Sequence, residues 1–126
     1  MSANGVIQTA LTIAKTTQTV MGSEIGIERA DTMTLFLDYV KGDETGVDVI
    51  ANYRRVTGGQ LYPATTWTDV AGVNTALPQK IRLTASGHYA FRIYFPAIDF
   101  VVFTQGGSNN DGTPTGTLAA SYVFEQ

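Results

Sequence analysis

The sequence predicts an all-β protein, a single antiparallel β-sandwich of jelly-roll or immunoglobulin-like type with about eight strands and no substantial helix. Three observations support this prediction. Polar and apolar residues alternate along most of the chain, and helical periodicity is almost absent. The 126 residues include 18 Thr, six Phe and six Tyr, side chains that fit the pleated surface of a sheet. Gly, Pro and Asp cluster between the alternating runs, where strands must turn.

The N-terminal part of the chain holds two short runs. The second, over 20–27, predicts a short strand or an edge segment. Residues 1–19 have two interpretations that the sequence leaves open: the first strand of the sandwich, or an N-terminal arm that pairs with a neighbouring molecule. In both, 1–126 has the size of a single domain. The first run places four residues on one face: Ile7, Thr9, Leu11 and Ile13.

The clearest strand covers 32–41. Its alternate residues from Met33 to Tyr39 are apolar, and its other face, with Phe36 and Val40, is partly apolar as well. Strands that are buried on both faces show this kind of near-continuous apolar run. The pattern therefore predicts a central strand covered on both sides.

The middle of the chain is predicted to turn twice. A segment with Gly and Asp, 41–46, leads into the alternating run 47–54, and two such runs around a short turn predict a β-hairpin. The segment 61–78 is less regular, and Pro63 and Pro78 argue against a central strand at those points.

Four further runs complete the predicted sandwich. They cover 79–85, 88–95, 99–105 and 117–125. Between the last two lies the polar, glycine-rich segment 106–116, which predicts an exposed and mobile loop. The last strand presents an apolar face made of Leu118, Ala120, Tyr122 and Phe124.

Charge and composition argue against several classes of function. The chain carries 8 Lys and Arg against 11 Asp and Glu, a net charge of −3, whereas nucleic-acid-binding surfaces carry a basic excess. It lacks an apolar run of about 18 residues, so we expect no membrane span, and its N-terminus does not resemble a signal peptide. Without cysteine it has no disulfide, thiolate metal ligand or cysteine nucleophile.

The sequence predicts no catalytic, metal-binding or cofactor-binding residue. Its one histidine, His88, is predicted to lie on the outward face of a strand, and no G-x-S-x-G motif accompanies it. A single histidine does not make a zinc site. Asp43, Glu44 and Asp48, like the residues 109–111, lack the spacing of a calcium loop, and no carboxylate pair is singled out for glycoside hydrolysis. We therefore expect that the protein is not an enzyme.

Five residues are candidates for contact with a partner or a glycan. Arg54 and Arg55 form a basic doublet at a strand end, where they could meet an acidic partner. Tyr62 and Trp67 are predicted to lie in a flap that caps the sandwich, and with Tyr94 they could form an aromatic surface for sugars. This set supports an alternative hypothesis for function, a carbohydrate-binding module or an adhesin-like receptor-binding domain.

The order of strands and turns also carries a family resemblance. It runs through ADTMTLFLDYVKGDETGVDVIANYRRV, LYPATTWTDV and GHYAFRIYFPAIDFVVFTQGGSNNDGTPTGTLAASYVFE. Within the last segment, a strand over 89–95, then Pro96, a strand over 100–104 and a turn over 112–117 form the most distinctive part. Over about 17–126 this pattern resembles the small β-sandwich structural proteins in the virions of tailed bacteriophages.

The resemblance implies a virion protein: a capsid decoration protein, or a neck or head–tail connector component. Such a protein assembles with copies of itself and with other capsid or tail proteins, without binding nucleic acid or a membrane directly. The chain departs from the family pattern at one point. The strand after Pro96 reads DFVVF without the expected Arg, and Arg92 lies one strand earlier. No residue role is therefore transferred from the family.

Overall fold

The computed structural model describes residues 4–14, 18–27, 32–63, 65–70, 73–78, 80–94, 100–108 and 114–125. Within these residues the chain forms eleven strands and no helix, and nothing in them is a helix long and apolar enough to cross a membrane. The strands are β1 (Asn4–Thr12), β2 (Thr19–Gly26), β3 (Thr32–Val40), β4 (Val47–Arg54), β5 (Tyr62–Pro63), β6 (Thr65–Val70), β7 (Val73–Pro78), β8 (Lys80–Leu83), β9 (Gly87–Tyr94), β10 (Phe100–Gly107) and β11 (Thr117–Glu125).

The strands form two packed antiparallel sheets and a separate ribbon. Sheet A has the order β1-β11-β3-β9, and sheet B has the order β2-β10-β4, with β5 and β8 both pairing with β4. The principal strands pair from the chain ends inwards: β1 with β11, β2 with β10, β3 with β9, and β4 with β8. This is the connectivity of a jelly roll. The predicted β-sandwich is confirmed, and the pairing selects the jelly roll over the immunoglobulin-like alternative.

The core lies between the two sheets, where alternation of side chains along the strands places the apolar residues. On β3, Met33, Leu35 and Leu37 are fully buried, as their spacing predicts. They belong to one cluster with residues of β4 and β10 in the opposite sheet, among them Val49 and Phe103. The inward row of β11 is buried as predicted through Leu118, Ala120 and Phe124.

The predicted hairpin between β3 and β4 is wrong. β3 belongs to sheet A and β4 to sheet B, so 41–46 crosses between the sheets. The crossover is held by Glu44, which is 2% exposed. Its carboxylate accepts hydrogen bonds from the Tyr39 hydroxyl and from the backbone N–H groups of Gly42 (2.9 Å), Thr115 (3.1 Å) and Gly116 (2.8 Å). These bonds tie the crossover to the segment that enters β11.

Two glycines allow this close approach. A Cβ on Gly116 would collide with the Glu44 carboxylate and would lie 2.7 Å from the Val40 carbonyl oxygen. A Cβ on Gly42 would collide with Thr115 and with the Gly116 nitrogen. Burial raises the pKa of Glu44, but hydrogen bonds from the Tyr39 hydroxyl and from the Gly42 and Gly116 N–H groups outweigh it and lower the pKa to about 2. Burial, then the bond to Glu44, raises the pKa of Tyr39.

The prediction that Ile7, Thr9, Leu11 and Ile13 share one face is also wrong. Ile7 and Ile13 are buried, but Leu11 is 54% exposed. The ladder between β1 and β11 shifts register twice, between Val6 and Gln8 and between Gln8 and Leu11. Each such bulge turns the following side chains to the other face. Between the two shifts, Gln8 is buried and its Nε2 donates to the Leu118 carbonyl at 2.7 Å.

The ends of the 106–116 segment are closed rather than exposed. Gly107 N–H donates to the Ala14 carbonyl (2.9 Å) and Ser108 N–H to the Gly46 carbonyl (3.0 Å). At the other end, Gly116 is buried. The prediction of an exposed loop is wrong for these ends, because their backbone groups complete hydrogen bonds between the sheets. Residues 109–113 lie outside the described part of the chain.

The less regular segment 61–78 forms no central strand. Pro63 lies in β5, at the edge of sheet B, and Pro78 ends the β6–β7 ribbon, as the prediction from proline requires. The expected position of β3 in the middle of a sheet is confirmed, but its predicted cover on both sides is wrong, since Phe36 is 39% and Val40 62% exposed.

Candidate functional site

The exposed side of β3 belongs to a surface that extends over all of sheet A. Because the inward residues of β3 and β11 are buried, the residues between them point outward. The registers of the β1, β11, β3 and β9 ladders place the outward residues of all four strands beside one another. We call this surface the A face: Val6, Thr34, Phe36, Asp38, Val40, His88, Ala90, Arg92, Thr117, Ala119, Ser121 and Val123.

The A face is ordered in rows. One row crosses all four strands, because Val6 pairs with Ser121, Ser121 with Phe36, and Phe36 with Ala90. Cross-strand neighbours have Cβ atoms about 5 Å apart, so the row is continuous. Two further rows flank it, Val123-Thr34-Arg92 on one side and Ala119-Asp38-His88 on the other.

Three large apolar side chains of the A face are exposed. Val6 is 71% exposed, more than Phe36 or Val40. They are three of the seven large apolar residues exposed in the described part of the chain, and exposed apolar side chains on one face are a feature of interaction surfaces. Between Val6 and Ala90 the row holds only Ser121 and Phe36, so the relief is one aromatic ring among short side chains.

The A face carries little charge. Its acidic and basic side chains are Asp38, His88 and Arg92, and Asp38 and Arg92 lie in different rows. The His88 Nδ1 lies 2.6 Å from the Asp38 Oδ1, and both side chains are well exposed. An exposed pair of this kind adds little to stability. His88 lies outward, as predicted.

The outer face of sheet B is different, because its polar groups are already paired. Asp48 is buried, and its carboxylate accepts two hydrogen bonds from Arg82, from Nε at 2.8 Å and from Nη2 at 3.0 Å. The Lys80 ammonium lies 3.8 Å from the same carboxylate. This interaction with Asp48 raises the pKa of Arg82.

A second network covers the middle of that face. The Asn52 amide donates to the Val102 carbonyl and to the Thr104 hydroxyl, both at 3.2 Å. The Thr104 hydroxyl donates to Gln18 Oε1 at 2.8 Å, and Gln18 Nε2 donates to the Asp48 carbonyl at 3.3 Å. Even Val102, which lies on this outward side, is 1% exposed. The outer face of sheet B is therefore satisfied within the chain.

The basic doublet predicted from sequence is divided by the fold. Arg54 Nη1 lies 3.0 Å from Glu24 Oε1, and Arg54 Nε donates to the Gly59 carbonyl at 3.0 Å. The hydrogen bond from the Gly58 N–H and the interaction with Arg54 lower the pKa of Glu24. Arg54 therefore joins β2 to the turn after β4, whereas Arg55 is exposed.

The predicted aromatic set is spread over three strands. Tyr62 lies on β5 at the edge of sheet B and is 52% exposed, Trp67 lies on β6 of the ribbon, and Tyr94 ends β9 at the edge of sheet A. The side chains of Trp67 and Tyr94 lie outside the described part of the structure. The flap and the glycan surface stay predictions, without a described contact in their support.

The acidic residues near 43–48 do not share a site. The Glu44 carboxylate is held by four donors at the crossover, and the Asp48 carboxylate by Arg82 on sheet B. Among the residues that the structure describes, no group of three or more His, Asp or Glu is placed to hold a metal ion. The other acidic segment, 109–111, lies outside them.

A groove of about 310 Å³ opens beside the A face, where the edges of the two sheets meet at β1 and β2. Its lining residues are Val6, Ile7, Gly22, Ser23, Glu24, Ile25, Gly26 and Tyr122. The one carboxylate there, that of Glu24, is the group paired with Arg54. The groove therefore continues the open surface of sheet A at Val6 without adding a reactive group.

The sequence contained a signal for the A face. Phe36 and Val40 occupy the second face of β3, and a partly apolar second face predicts cover. In the described part of the structure both residues are exposed. The pattern indicated an apolar surface, but the predicted cover is not seen among the described residues.

Comparison with known proteins identifies one of similar fold. No protein-family model matches the chain, and no curated protein matches its sequence. The fold is similar to that in the crystal structure of the SPBc2 prophage-derived protein YomS, with a TM-score of 0.58 and 10% sequence identity over 98% of this chain and 92% of that one. The chain is thus a jelly-roll protein with a fold that also occurs in a prophage-derived protein, almost from end to end.

Proposed function

We propose that this chain is a structural protein of a bacteriophage virion, which acts by contacts with copies of itself and with other capsid or tail proteins. The observation that carries the proposal is the A face, an outer sheet surface that is partly to fully exposed and weakly charged. It presents Val6, Phe36 and Val40 to solvent, and exposed apolar side chains on one face are a feature of protein–protein contact surfaces. The fold shared with a prophage-derived protein supports a phage context.

The rest of the described surface supports the same proposal. A protein that works in an assembly needs a rigid body and an open contact surface, whereas an enzyme needs reactive groups gathered in a cleft. Here the buried polar groups Glu44, Asp48 and Asn52 are engaged in hydrogen bonds that join strands and loops. The proposal therefore assigns no catalytic step and no cofactor to the chain.

Within the virion, two positions fit this proposal: a decoration protein on the capsid, or a component of the neck or head–tail connector. They differ in number of copies, because closed symmetry sets the count. A decoration protein is present in hundreds of copies, and a connector ring in about six or twelve. The proposed partners are proteins alone, without direct contact to nucleic acid or to a membrane.

The test is quantitative mass spectrometry of phage particles purified on a density gradient, with isotope-labelled peptides of this chain as standards. We expect the chain to co-purify with intact particles at a fixed stoichiometry relative to the major capsid protein. A count in the hundreds assigns it to the capsid, and a count near six or twelve to the neck or tail. Absence from intact particles overturns the proposal.

A matched pair of variants links incorporation to the A face. Phe36→Asp places a charge in the central row, and Val56→Asp places one at a residue that is 63% exposed in the turn after β4. In a phage that supplies only the variant, we expect Val56→Asp to be incorporated normally and Phe36→Asp to be lost from particles. Equal incorporation of both shows that the A face is not the contact surface.

A further inference from the structure

We propose that the A face binds the A face of a second copy of this chain, in a dimer with two-fold symmetry. This inference rests on the proposed function and names one partner within it, a copy of the same protein. It follows from three properties of the A face: its size, its relief and the placement of its charges.

The size of the A face suits one partner. β3 and β11 have nine residues and β9 has eight. With about 3.4 Å per residue and about 4.8 Å between strands, four strands cover roughly 30 Å by 19 Å. That is roughly 570 Å² before the relief of the side chains is added, about 70% of the ~800 Å² that each partner contributes to a standard stable interface, so one partner would use the whole A face.

The relief of the A face is complementary to itself. Phe36 is the large side chain in the centre, and its cross-strand neighbours Ser121 and Ala90 are small. Two sheets that pack face to face lie about 10 Å apart with their side chains interdigitating. In a symmetric pair whose two-fold axis runs along the Phe36 row, the two Phe36 rings meet at the axis. The short side chains of Ser121 and Ala90 on either side leave room for the rings to pack offset from each other.

The charges of the A face favour the same arrangement. Arg92 lies in the row on one side of Phe36, and Asp38 lies in the row on the other side. A two-fold axis that crosses the strands at the Phe36 row superposes these two flanking rows. Arg92 of each copy then lies over the row that holds Asp38 and His88 in the other, and the contact is reciprocal. Arg92 of each copy faces His88 of the other directly and lies one strand, about 4.8 Å, to the side of Asp38, so a guanidinium and a carboxylate come near each other twice.

The outer face of sheet B lacks these properties. Its charged groups Asp48 and Arg82 are bound to each other, as are Glu24 and Arg54. A partner would have to compete with bonds already made, whereas on the A face it covers Val6 and Phe36, which are exposed apolar groups. Association through the A face therefore gives a larger gain in free energy than association through the outer face of sheet B.

Sedimentation equilibrium of the full chain tests the inference over about 1 to 100 µM, the range in which a standard-size interface associates measurably. We expect a mass of twice the 13.5 kDa of the chain. Phe36→Asp should weaken association at least about 30-fold, as expected for a central contact. Val56→Asp is the matched control and should change the dissociation constant less than about twofold. Thermal unfolding confirms that both variants are folded.

A charge exchange gives an independent measurement that leaves Phe36 intact. Arg92→Asp and Asp38→Arg should each weaken the dimer, and the double variant should restore the dissociation constant to within about threefold of the original. Additive losses in the double variant show that the two residues do not meet across the interface, and overturn the proposed arrangement.

The remaining outcomes separate this inference from the proposed function. A chain that is monomeric at about 100 µM, or a dimer indifferent to Phe36→Asp, overturns the inference. If the chain is nevertheless present in particles, a different virion protein covers the A face and the proposed function stands. A dimer that depends on Phe36 in a chain absent from particles supports the inference and overturns the proposed function. A trimer or larger ring broken by Phe36→Asp overturns the two-fold symmetry.

Discussion

The outer faces of the two sheets belong to one fold but differ in how far their side chains are exposed to solvent. On sheet B, Asp48, Asn52 and Thr104 are buried and bonded within the chain, and Val102 is 1% exposed. On sheet A, Phe36 and Val6 are open to solvent. One face is completed by its own chain and the other is open in the described structure. Under the proposed function, stability and assembly are then assigned to separate surfaces.

The largest expected effect comes from deleting the strand that borders the A face. A chain without residues 1–12 loses β1, the buried side chain of Ile7 and the bond from Gln8 to the Leu118 carbonyl. Burial of Ile7 alone is worth about 2–3 kcal/mol, and the ladder to β11 adds to it. We expect a loss of about 4 kcal/mol or more in the free energy of unfolding, measured in urea.

This deletion also separates the two interpretations of 1–19. A monomer that unfolds identifies the segment as the first strand of the sandwich. A monomer that stays folded but does not assemble identifies it as an arm, and would break the comparison, because the edge of sheet A would then be supplied by a neighbour. Thr9→Ala, at an exposed position of β1, is the matched control and should leave stability within about 0.5 kcal/mol.

The closed face of sheet B should not tolerate a charge. Asn52→Asp replaces the amide that donates to the Val102 carbonyl and the Thr104 hydroxyl with a buried carboxylate. The new charge faces the carbonyl oxygen without a donor, so we expect a loss of about 3 kcal/mol at neutral pH. The loss should shrink as the pH falls and the new carboxyl is protonated. A loss below about 1 kcal/mol would show that water reaches this face.

The crossover at Glu44 should resemble the outer face of sheet B, where changing a buried polar group lowers stability, and not the A face. The pKa of Glu44 is lowered from 4.5 to about 2, so the ionised carboxylate stabilises the folded chain. This stabilisation is complete above about pH 4.5 and is lost as the pH falls towards 2, by about 3 kcal/mol in total. Urea unfolding at a series of pH values measures it.

The Glu44→Gln variant provides the comparison for this prediction. Its amide cannot accept from the Gly42, Thr115 and Gly116 N–H groups together, so we expect lower stability at neutral pH. Between pH 4.5 and 2 its stability should vary less than that of the original chain, because the titrating group is absent. Equal pH dependence of the two chains would assign the acid sensitivity to other carboxyl groups.

The smallest effect on stability is expected on the open face. Phe36→Asp adds a charge at a position that is 39% exposed, and we expect a loss below about 1 kcal/mol in the free energy of unfolding of the monomer. Measured beside Asn52→Asp, this variant sharpens the comparison, because the same new carboxylate is placed on each sheet. A large loss at Phe36 would show that the A face contributes to the fold of the monomer itself.

The wrong sequence predictions have a common physical origin. Alternation around Met33 and along 47–54 identified the side of each strand that faces the core, because side-chain direction in a strand depends only on local geometry. It did not predict the burial of Asp48 and Asn52 on the other side of β4. The predicted hairpin over 41–46 and the single face from Ile7 to Ile13 both failed. They depend on which strand pairs with which, and on where a ladder gains a bulge. The local pattern of residues gives no information on strand pairing or on the position of a bulge.

The candidate site shows the same difference between what the local sequence predicts and what the fold decides. Arg54 was selected as a charge at a strand end, yet in the fold it binds Glu24, which lies 30 residues earlier in the chain. Phe36 was assigned to a covered face, yet it is open. Each of these residues has the chemistry that the sequence suggested. Its availability to a partner depends on neighbours that are distant in the chain.

The sequence by itself determined the class of this protein: all β, one sandwich, with an inward row on β3 and on β11. Period-two alternation and the choice of Thr, Val, Phe and Tyr suffice for that, because both act within a single strand. The tertiary structure alone decided the jelly-roll pairing, the crossover held by Glu44 and the contrast between the two outer faces. These depend on contacts between residues far apart in the chain, such as Glu44 with Gly116, and on whether the chain or another molecule covers a given surface.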